Sequence, residues 1–122
     1  MIHIEKLQTG EDSGVAASVR EFAELHSLVV EVVPAVTTAS ALLVLRPPRL
    51  KSERLDRLAA AAAEHGVSVY STPGLDPEAV VDWLDGLEGP TITLYVAGPT
   101  EEESPRMAGR ASRLLHSVLE AE

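Results

Sequence analysis

Short runs rich in β-branched residues and leucine alternate with longer segments of helical periodicity, and this alternation constrains the fold more than any other feature of the chain. Five runs have the length and composition of strands, at residues 1–7, 28–33, 41–46, 67–71 and 92–97. Strands that alternate with helices are typical of a mostly parallel sheet covered by helices. Residues 41–45 are all apolar, so the third strand is predicted to be covered on both faces.

Four helices are predicted because apolar residues recur every three or four positions in the intervening segments. The apolar stripes are Val15, Val19, Phe22 and His26; Leu55, Leu58, Ala59 and Ala62; Val80, Trp83, Leu84 and Leu87; and Met107, Ala111, Leu114 and Val118. Asp76 and Ser104 are predicted N-caps, since a proline follows each of them at the first helical position. Gly66 is predicted to end the second helix, which covers about residues 51–65. The predicted fold class is α/β, with a five-stranded, mostly parallel sheet and about four helices.

Charge and composition exclude several classes of function. The chain has 122 residues, with 19 Asp or Glu against 10 Lys or Arg, and its formal net charge is −9. Non-specific nucleic-acid binding needs a basic surface and aromatic rings for stacking, whereas this acidic chain has one Trp, two Tyr and one Phe. Hydrophobic residues make up 45% of the chain, which is enough to form a core. We therefore expect one folded domain over residues 1–122 and no nucleic-acid partner.

The chain carries no feature that requires export or a membrane. The absence of cysteine excludes disulfide scaffolds and thiolate metal sites, and it permits a reducing compartment. The apolar runs are far shorter than the about 20 residues of a membrane span. Residues 1–7 are predicted to form a strand that contains Glu5 and Lys6, so no signal peptide is expected. These observations predict a cytoplasmic protein with no membrane partner.

The connection between the second and third strands is unusually short. Only residues 34–40 separate them, whereas a crossover between parallel strands usually needs a dozen or more residues. Either this segment is an extended crossover without a helix, or the second strand runs antiparallel. The first alternative leaves part of one sheet face without a covering helix, and we expect a second protomer to cover it. The chain is thus predicted to form a homo-oligomer.

Two loops are candidate ligand sites because both follow strands, and ligands of open α/β sheets bind at the carboxyl ends of the strands. The candidate residues are Gln8, Thr9, Gly10 and Asp12 in the first loop, and Gly98, Pro99 and Thr100 in the second. A glycine-containing turn that leads into a helix lets the backbone approach an anion closely. The alternatives are plain turns, with Asp12 acting as an N-cap in the first of them.

Basic residues are clustered although the chain is acidic. Two groups, each following a strand, contain Arg46, Arg49, Lys51, Arg54 and Arg57, and then Arg106, Arg110 and Arg113. We expect Arg46, Arg49 and Arg106 to lie at the carboxyl edge of the sheet, where they would bind an oxyanion or a phosphate group. The alternative is a solvated surface with local ion pairs, such as Glu102–Arg106 and Glu53–Arg57.

The two loops together resemble those of the putative molybdenum carrier family. The resemblance lies in a strand followed by Gln8-Thr9-Gly10-x-Asp12, and in a last strand followed by Ala97-Gly98-Pro99, five further residues and Pro105. Residues 37–45 also resemble a strand of the family. The resemblance implies a Rossmann-like three-layer fold that holds a small ligand, molybdate or the molybdenum cofactor, at the carboxyl edge of the sheet.

The chain also departs from the family pattern. Lys6 and Leu7 replace a pair of glycines, and residues 46–51 replace a Gly-Gly-Thr turn. Thr100 stands in place of an Arg and Glu102 in place of a Ser, and the family's long segment between the second and third strands is absent. Because two of the three ligand-facing loops have lost their glycine-rich backbone, we expect arginine side chains to supply the anion site here.

The other reactive side chains are interpreted as structural. His3, His26, His65 and His116 have no metal-ligand spacing, and no nucleophile elbow or Ser-His-Asp set is found. Adjacent carboxylates at the predicted edge, Glu11 and Asp12, are the pair to test for acid–base chemistry. We predict neither a catalytic residue nor a metal site.

Three functions are consistent with these observations. The first is a binding or carrier protein for a small anionic ligand. The second is a protein-interaction module that has lost its ligand, and the third is a nucleotide- or nucleoside-processing enzyme on the same fold. The lost glycines favour the second over the third, and the chain offers no obvious nucleophile or base.

Overall fold

Strands and helices alternate throughout the computed structural model, which describes residues 3–11, 14–33, 39–73, 76–87 and 91–120. The strands are β1 (His3–Thr9), β2 (Val30–Val32), β3 (Ala41–Leu45), β4 (Ser68–Thr72) and β5 (Thr91–Ala97). The helices are α1 (Val15–Leu25), α2 (Glu53–Glu64), α3 (Pro77–Asp85) and α4 (Met107–Glu120). These bounds confirm the predicted succession of elements.

The beginning of α4 differs from the prediction. Ser104 is not its N-cap, because the helix begins at Met107 and residues 101–106 form turns. The amide of Ser104 donates to the Thr100 carbonyl oxygen at 3.0 Å, and the amide of Met107 donates to the Ser104 carbonyl oxygen at 3.2 Å. By contrast, Asp76 caps α3 as predicted, since its Oδ1 accepts from the amides of Glu78 and Ala79.

All five strands are parallel. Their order is β2-β1-β5-β3-β4, and each neighbouring pair runs in the same direction. The alternative of an antiparallel second strand is therefore wrong, and the chain crosses from the edge strand β2 past β1 and β5 to β3. Residues 34–38 of this connection lie outside the described residues, but both of its ends are anchored. The hydroxyl of Tyr95 donates to the Val33 carbonyl oxygen at 2.8 Å, and the amide of Ser40 donates to the Thr93 carbonyl oxygen at 2.9 Å.

Helices cover both faces of the sheet, which gives three layers. On one face α1, α3 and α4 pack against alternate residues of the strands, among them Leu43, Leu45, Leu94 and Val96. On the other face α2 packs through Leu55 and Ala62 onto Leu42, Val44 and Tyr95. Every residue of β3 is buried, as its apolar run predicts. The predicted α/β class, with a parallel sheet between helical layers, is thus confirmed.

The part of the sheet beyond α2 carries polar rather than apolar side chains. Lys6 Nζ lies 2.9 Å from Glu31 Oε1, and Gln8 Nε2 donates to the same oxygen at 2.9 Å. The hydrogen bond from Gln8, and then the ammonium of Lys6, lower the pKa of Glu31. The exposed large apolar residues of the described chain lie instead at the β2 edge and the end of α1, at Leu25, Val29 and Val32. The second protomer, which was predicted to cover a sheet face that lacks a helix, stays a prediction.

Candidate ligand site at the carboxyl edge of the sheet

The loops that follow β1, β3, β4 and β5 meet at one edge of the sheet because all of these strands are parallel. Two predicted ligand residues, Gln8 and Thr9, are the last residues of β1, and the others that the structure describes lie in the loops: Gly10, Arg46, Arg49, Gly98, Pro99, Thr100 and Arg106. Asp12, which was predicted to be a ligand residue or an N-cap, lies outside the described residues. The structure thus brings most of the predicted residues to one edge, and their contacts differ widely.

The loops after β1 and β5 pack directly against each other. The amide of Val15, at the start of α1, donates to the Pro99 carbonyl oxygen at 3.2 Å, and Thr9 Oγ1 donates to the Val96 carbonyl oxygen at 2.9 Å. A Cβ atom added to Gly14 would lie 2.6 Å from the Pro99 carbonyl oxygen. The protein itself therefore fills the space between these two loops.

Gly98 serves close packing within the same edge. A Cβ atom added there would lie 2.6 Å from Val15 Cγ2 and 2.8 Å from the Leu45 carbonyl oxygen. The residue allows β3, β5 and α1 to approach one another, which accounts for glycine at this position without a ligand. Gln8 also has a structural role, since it is fully buried within the sheet and its side-chain amide donates a hydrogen bond to Glu31. A ligand role for these residues stays a prediction.

Two of the arginines at this edge, Arg46 and Arg54, are matched by acidic partners. Arg46 Nη1 lies 2.7 Å from Asp56 Oδ1, and its Nη2 donates to the Leu50 carbonyl oxygen at 2.6 Å. Arg54 Nη2 lies 2.9 Å from both the Gly98 carbonyl oxygen and Glu103 Oε1. The edge is therefore less positive than the clustering of arginines in the sequence predicts.

Two other predicted ligand residues, Arg49 and Arg106, take no part in these contacts. Arg49 and Arg106 are exposed and form no ion pair within the described ranges. The predicted pair Glu53–Arg57 forms, with 3.2 Å between Oε2 and Nη2, whereas the predicted pair Glu102–Arg106 is not found among the described residues. Arg106 is thus a surface residue, and Arg110 is the residue of this helix that reaches the edge, donating to the Pro73 carbonyl oxygen at 3.3 Å.

Glu103 holds a central position that sequence analysis missed. Its carboxylate accepts from the amide of Thr100 at 3.0 Å and from Arg54 at 2.9 Å. The backbone hydrogen bond from Thr100, followed by the hydrogen bond from Arg54, lowers the pKa of Glu103. The only signal in the sequence is that Arg54 and Glu103 both lie near predicted helix starts at the same edge of the sheet. The two residues are 49 positions apart, so no local sequence pattern predicts that they pair.

A cavity of about 340 Å³ opens at this edge between the ends of β3 and β4. It is lined by Arg46, Pro47, Pro48, Ser71, Thr72 and Pro73. Arg46 is the predicted ligand residue among them, and its side chain is 21% exposed. A guanidinium beside hydroxyl groups supplies hydrogen-bond donors, which is the chemistry that an anion requires.

Histidines are brought together elsewhere in the molecule. The rings of His26 on the α1 side and His116 on α4 lie 5.7 Å apart, and the ring of His26 lies 4.3 Å from that of Phe22. Within the described ranges, no group of three or more His, Cys, Asp or Glu side chains is arranged to hold a metal ion. Among the described residues, no helix is long and apolar enough to cross a bilayer.

Comparison with known proteins gives a match of fold. No protein-family model matches the chain, and no curated protein matches it in sequence. Among solved structures, it is similar to the crystal structure of a putative molybdenum carrier protein from Syntrophus aciditrophicus, with a TM-score of 0.75 and 14% sequence identity. The match covers 97% of this chain and 96% of that chain. The two proteins share the Rossmann-like α/β fold, which supports the resemblance seen in the sequence at the level of fold.

Proposed function

We propose that this protein binds a small oxyanion, or the phosphate group of a larger ligand, at the carboxyl edge of its sheet and acts as a ligand-binding or carrier protein. The observation that carries this proposal is the cavity between the ends of β3 and β4, with the Arg46 guanidinium in its wall. In open parallel sheets this edge is where small ligands bind. Among the described residues, the contacts of Arg46 to Asp56 and Leu50 use only some of its N–H donors, and the others are able to serve a ligand.

The size of the cavity supports a small ligand. Its volume of about 340 Å³ is at the low end of the range that small-molecule sites have. A ligand larger than this volume would have to leave part of its surface in solvent. For the molybdenum cofactor, the cavity would therefore receive the phosphate end.

The name of the structural neighbour makes molybdate the first anion to test. The binding experiment is isothermal titration of the wild-type chain with molybdate, tungstate, sulfate and phosphate, together with thermal unfolding in each anion. A ligand present at a hundred times its Kd adds about 2.7 kcal/mol to the free energy of unfolding, which raises the Tm of a domain of this size by several degrees.

Two variants connect the binding to the cavity. We expect Arg46→Gln to weaken anion binding by about tenfold or more, because a charge-assisted hydrogen bond is lost. The matched control is Arg57→Gln, which removes an exposed arginine that is paired with Glu53 on the same helix. Arg46→Lys, which keeps the charge, checks that a loss of binding does not come from misfolding. Unchanged binding in Arg46→Gln would contradict this site.

A second candidate, a protein-interaction module, is favoured by a different observation. The carboxylate of Glu103 and the packing of Gly14 and Gly98 occupy the places where an open ligand site was predicted. If no anion or nucleotide raises the Tm of the wild-type chain, this second function replaces the first.

A further inference from the structure

A pair of histidines lies side by side at the surface, on two neighbouring helices. The ring centres of His26, at the end of α1, and His116, on α4, are 5.7 Å apart, and the ring planes are inclined by 50°. Both residues are exposed, so an ion in solution is able to reach them. Imidazole is the commonest metal ligand among side chains. The two residues belong to different helices, which is why no ligand spacing in the sequence indicated this pair.

The pair lies at the end of α1 that is far from the proposed anion site. This helix begins at the carboxyl edge, where the amide of Val15 donates to the Pro99 carbonyl oxygen. A helix rises 1.5 Å per residue, so His26 lies about 16 Å further along α1 than Val15. The two sites are therefore separate, and neither requires the other.

The backbone of His26 is held by the C-terminal cap of α1. His26 is the C-cap residue, and the two residues after it donate back into the helix. The amide of Ser27 bonds the Glu24 carbonyl oxygen at 3.3 Å, and the amide of Leu28 bonds the Ala23 carbonyl oxygen at 2.8 Å. Ser27 has a φ of 54°, in the left-handed region where this Schellman motif usually places glycine. These contacts fix the point from which the imidazole projects.

The rings are also held relative to each other. The ring of the buried Phe22 lies 4.3 Å from that of His26, which restricts the positions that this imidazole adopts. His116 lies within α4, and the hydroxyl of Ser18 on α1 donates to the Ala108 carbonyl oxygen of α4 at 2.7 Å. The two helices are therefore joined, and the two imidazoles are presented together.

The distance between the rings suits a shared metal ion. Each imidazole nitrogen lies about 2.0–2.1 Å from a bound Zn²⁺, which puts the ring centres of two ligands on one tetrahedral ion about 5 Å apart. The separation of 5.7 Å is close to this value, and the torsion that turns an imidazole ring has broad energy wells. Each ring has two nitrogens, so it is able to bind an ion through one and keep a hydrogen bond through the other.

We infer that His26 and His116 together bind a divalent transition-metal cation of the class that imidazole prefers, such as Zn²⁺, Ni²⁺ or Cu²⁺. In the described part of the chain, no group of three or more His, Cys, Asp or Glu side chains is arranged around an ion. The protein therefore supplies two ligands, and water completes the coordination. Because structural zinc sites have four protein ligands, this open site holds its ion reversibly. The net charge of −9 attracts cations to the molecule.

The test is isothermal titration of the full chain with Zn²⁺ at neutral pH in a buffer without phosphate. We expect one Zn²⁺ to bind per chain, whereas Mg²⁺, which prefers oxygen ligands, should give no binding. His26→Gln and His116→Gln should each weaken Zn²⁺ binding by about tenfold or more, since even an outer-shell partner of a metal ligand contributes about tenfold. The matched control is His65→Gln, which removes an exposed histidine at the end of α2 and should leave the affinity unchanged.

Two measurements on the wild-type chain keep the test independent of how His26→Gln and His116→Gln fold. In nuclear magnetic resonance spectra, two of the four histidine ring signals should shift with Zn²⁺. The signal that is missing from His65→Gln should be among the two that do not shift. Excess Zn²⁺ should also raise the Tm by several degrees, because the ion bridges two helices only in the folded state.

The results that would overturn the metal site differ from those that bear on the anion site. An absence of Zn²⁺ binding, equal affinity for Mg²⁺ and Zn²⁺, or unchanged Zn²⁺ affinity in a folded His26→Gln variant would each overturn it. A shift of only one histidine ring would do the same. Because these tests use another ion and other residues, each of these results would leave the proposed function standing.

Discussion

Close packing at a single residue, Gly98, decides how tightly the carboxyl edge is closed. Its missing side chain allows Val15 of α1 and the end of β3 to approach β5 within van der Waals distance. Gly109 on α4 is the opposite case, because a Cβ atom added there would meet no atom within 4 Å. Substitution by alanine is therefore expected to change the stability of the protein in opposite directions at these two glycines.

We predict that Gly98→Ala lowers the free energy of unfolding by about 1–3 kcal/mol, since the new methyl group forces Val15 or the backbone of Leu45 to move. Gly109→Ala should raise it by about 0.5–1 kcal/mol, because alanine is the better helix former. Urea denaturation followed by circular dichroism measures both. Equal stability of Gly98→Ala and the wild-type chain would contradict the close approach described here.

At the scale of elements, one carboxylate ties the β5–α4 loop to the start of α2. Glu103 bonds the amide of Thr100 in its own loop and the guanidinium of Arg54 in α2, and Arg54 also bonds the Gly98 carbonyl oxygen. Ser52, the N-cap of the same helix, contributes a further hydrogen bond that lowers the pKa of Glu103. The loop is thus held on the helix by charge-assisted hydrogen bonds.

We predict that Glu103→Gln destabilises the fold by about 1 kcal/mol at neutral pH, a modest value because the pair is partly exposed. The pKa of Glu103 is lowered in the folded state, so its contribution is complete above the ordinary value of 4.5. It is lost as the pH falls through the lowered pKa, because the unfolded chain then binds more protons than the folded one. Denaturation curves from neutral to acidic pH test this, with Glu102→Gln as the control for an exposed neighbour. A difference that persists at acidic pH would refute the electrostatic explanation.

The surface of the whole molecule combines a strong negative charge with one apolar edge. The net charge is −9, and the exposed large apolar residues of the described chain, Leu25, Val29 and Val32, lie near the open edge strand β2. An edge strand with exposed apolar side chains is a surface on which a second chain pairs. Charge repulsion between copies opposes this pairing and is screened by salt.

We predict that the chain self-associates through the β2 edge, more strongly at high salt than at low salt. Val32→Lys should shift the population toward the monomer, whereas Ser68→Lys on the opposite edge strand, β4, should leave it unchanged. Sedimentation velocity over a range of protein concentrations measures the distribution. A wild-type chain that stays monomeric at high micromolar concentration would rule out the oligomer.

The resemblance to a known family was more informative about the fold than about the ligand site. The shared architecture is borne out by a TM-score of 0.75 over 97% of the chain. Gly10, Gly98 and Pro99, three of the residues on which the resemblance rested, lie at the expected edge. Their loops, however, pack on each other, and the cavity opens one strand further along, beyond β3.

The sequence alone determined the features that depend on neighbours in the chain. Helical periodicity, the buried run of β3 and the cap at Asp76 all follow from residues a few positions apart, and the structure confirms each of them. The tertiary structure decided which strands are adjacent and in which direction β2 runs, because a seven-residue connection is compatible with more than one path.

The same distinction applies to the candidate site. The clustering of basic residues in the sequence predicted Arg46 as a ligand residue, but it also predicted Arg49 and Arg106, which are exposed. It gave no indication that Glu103 would pair with Arg54. No pattern in the sequence indicated that Arg46 pairs with Asp56, which is ten residues away. Contacts of this kind arise when the parallel strands bring separate loops to one edge, so the charge of that edge depends on pairings that the order of residues does not show.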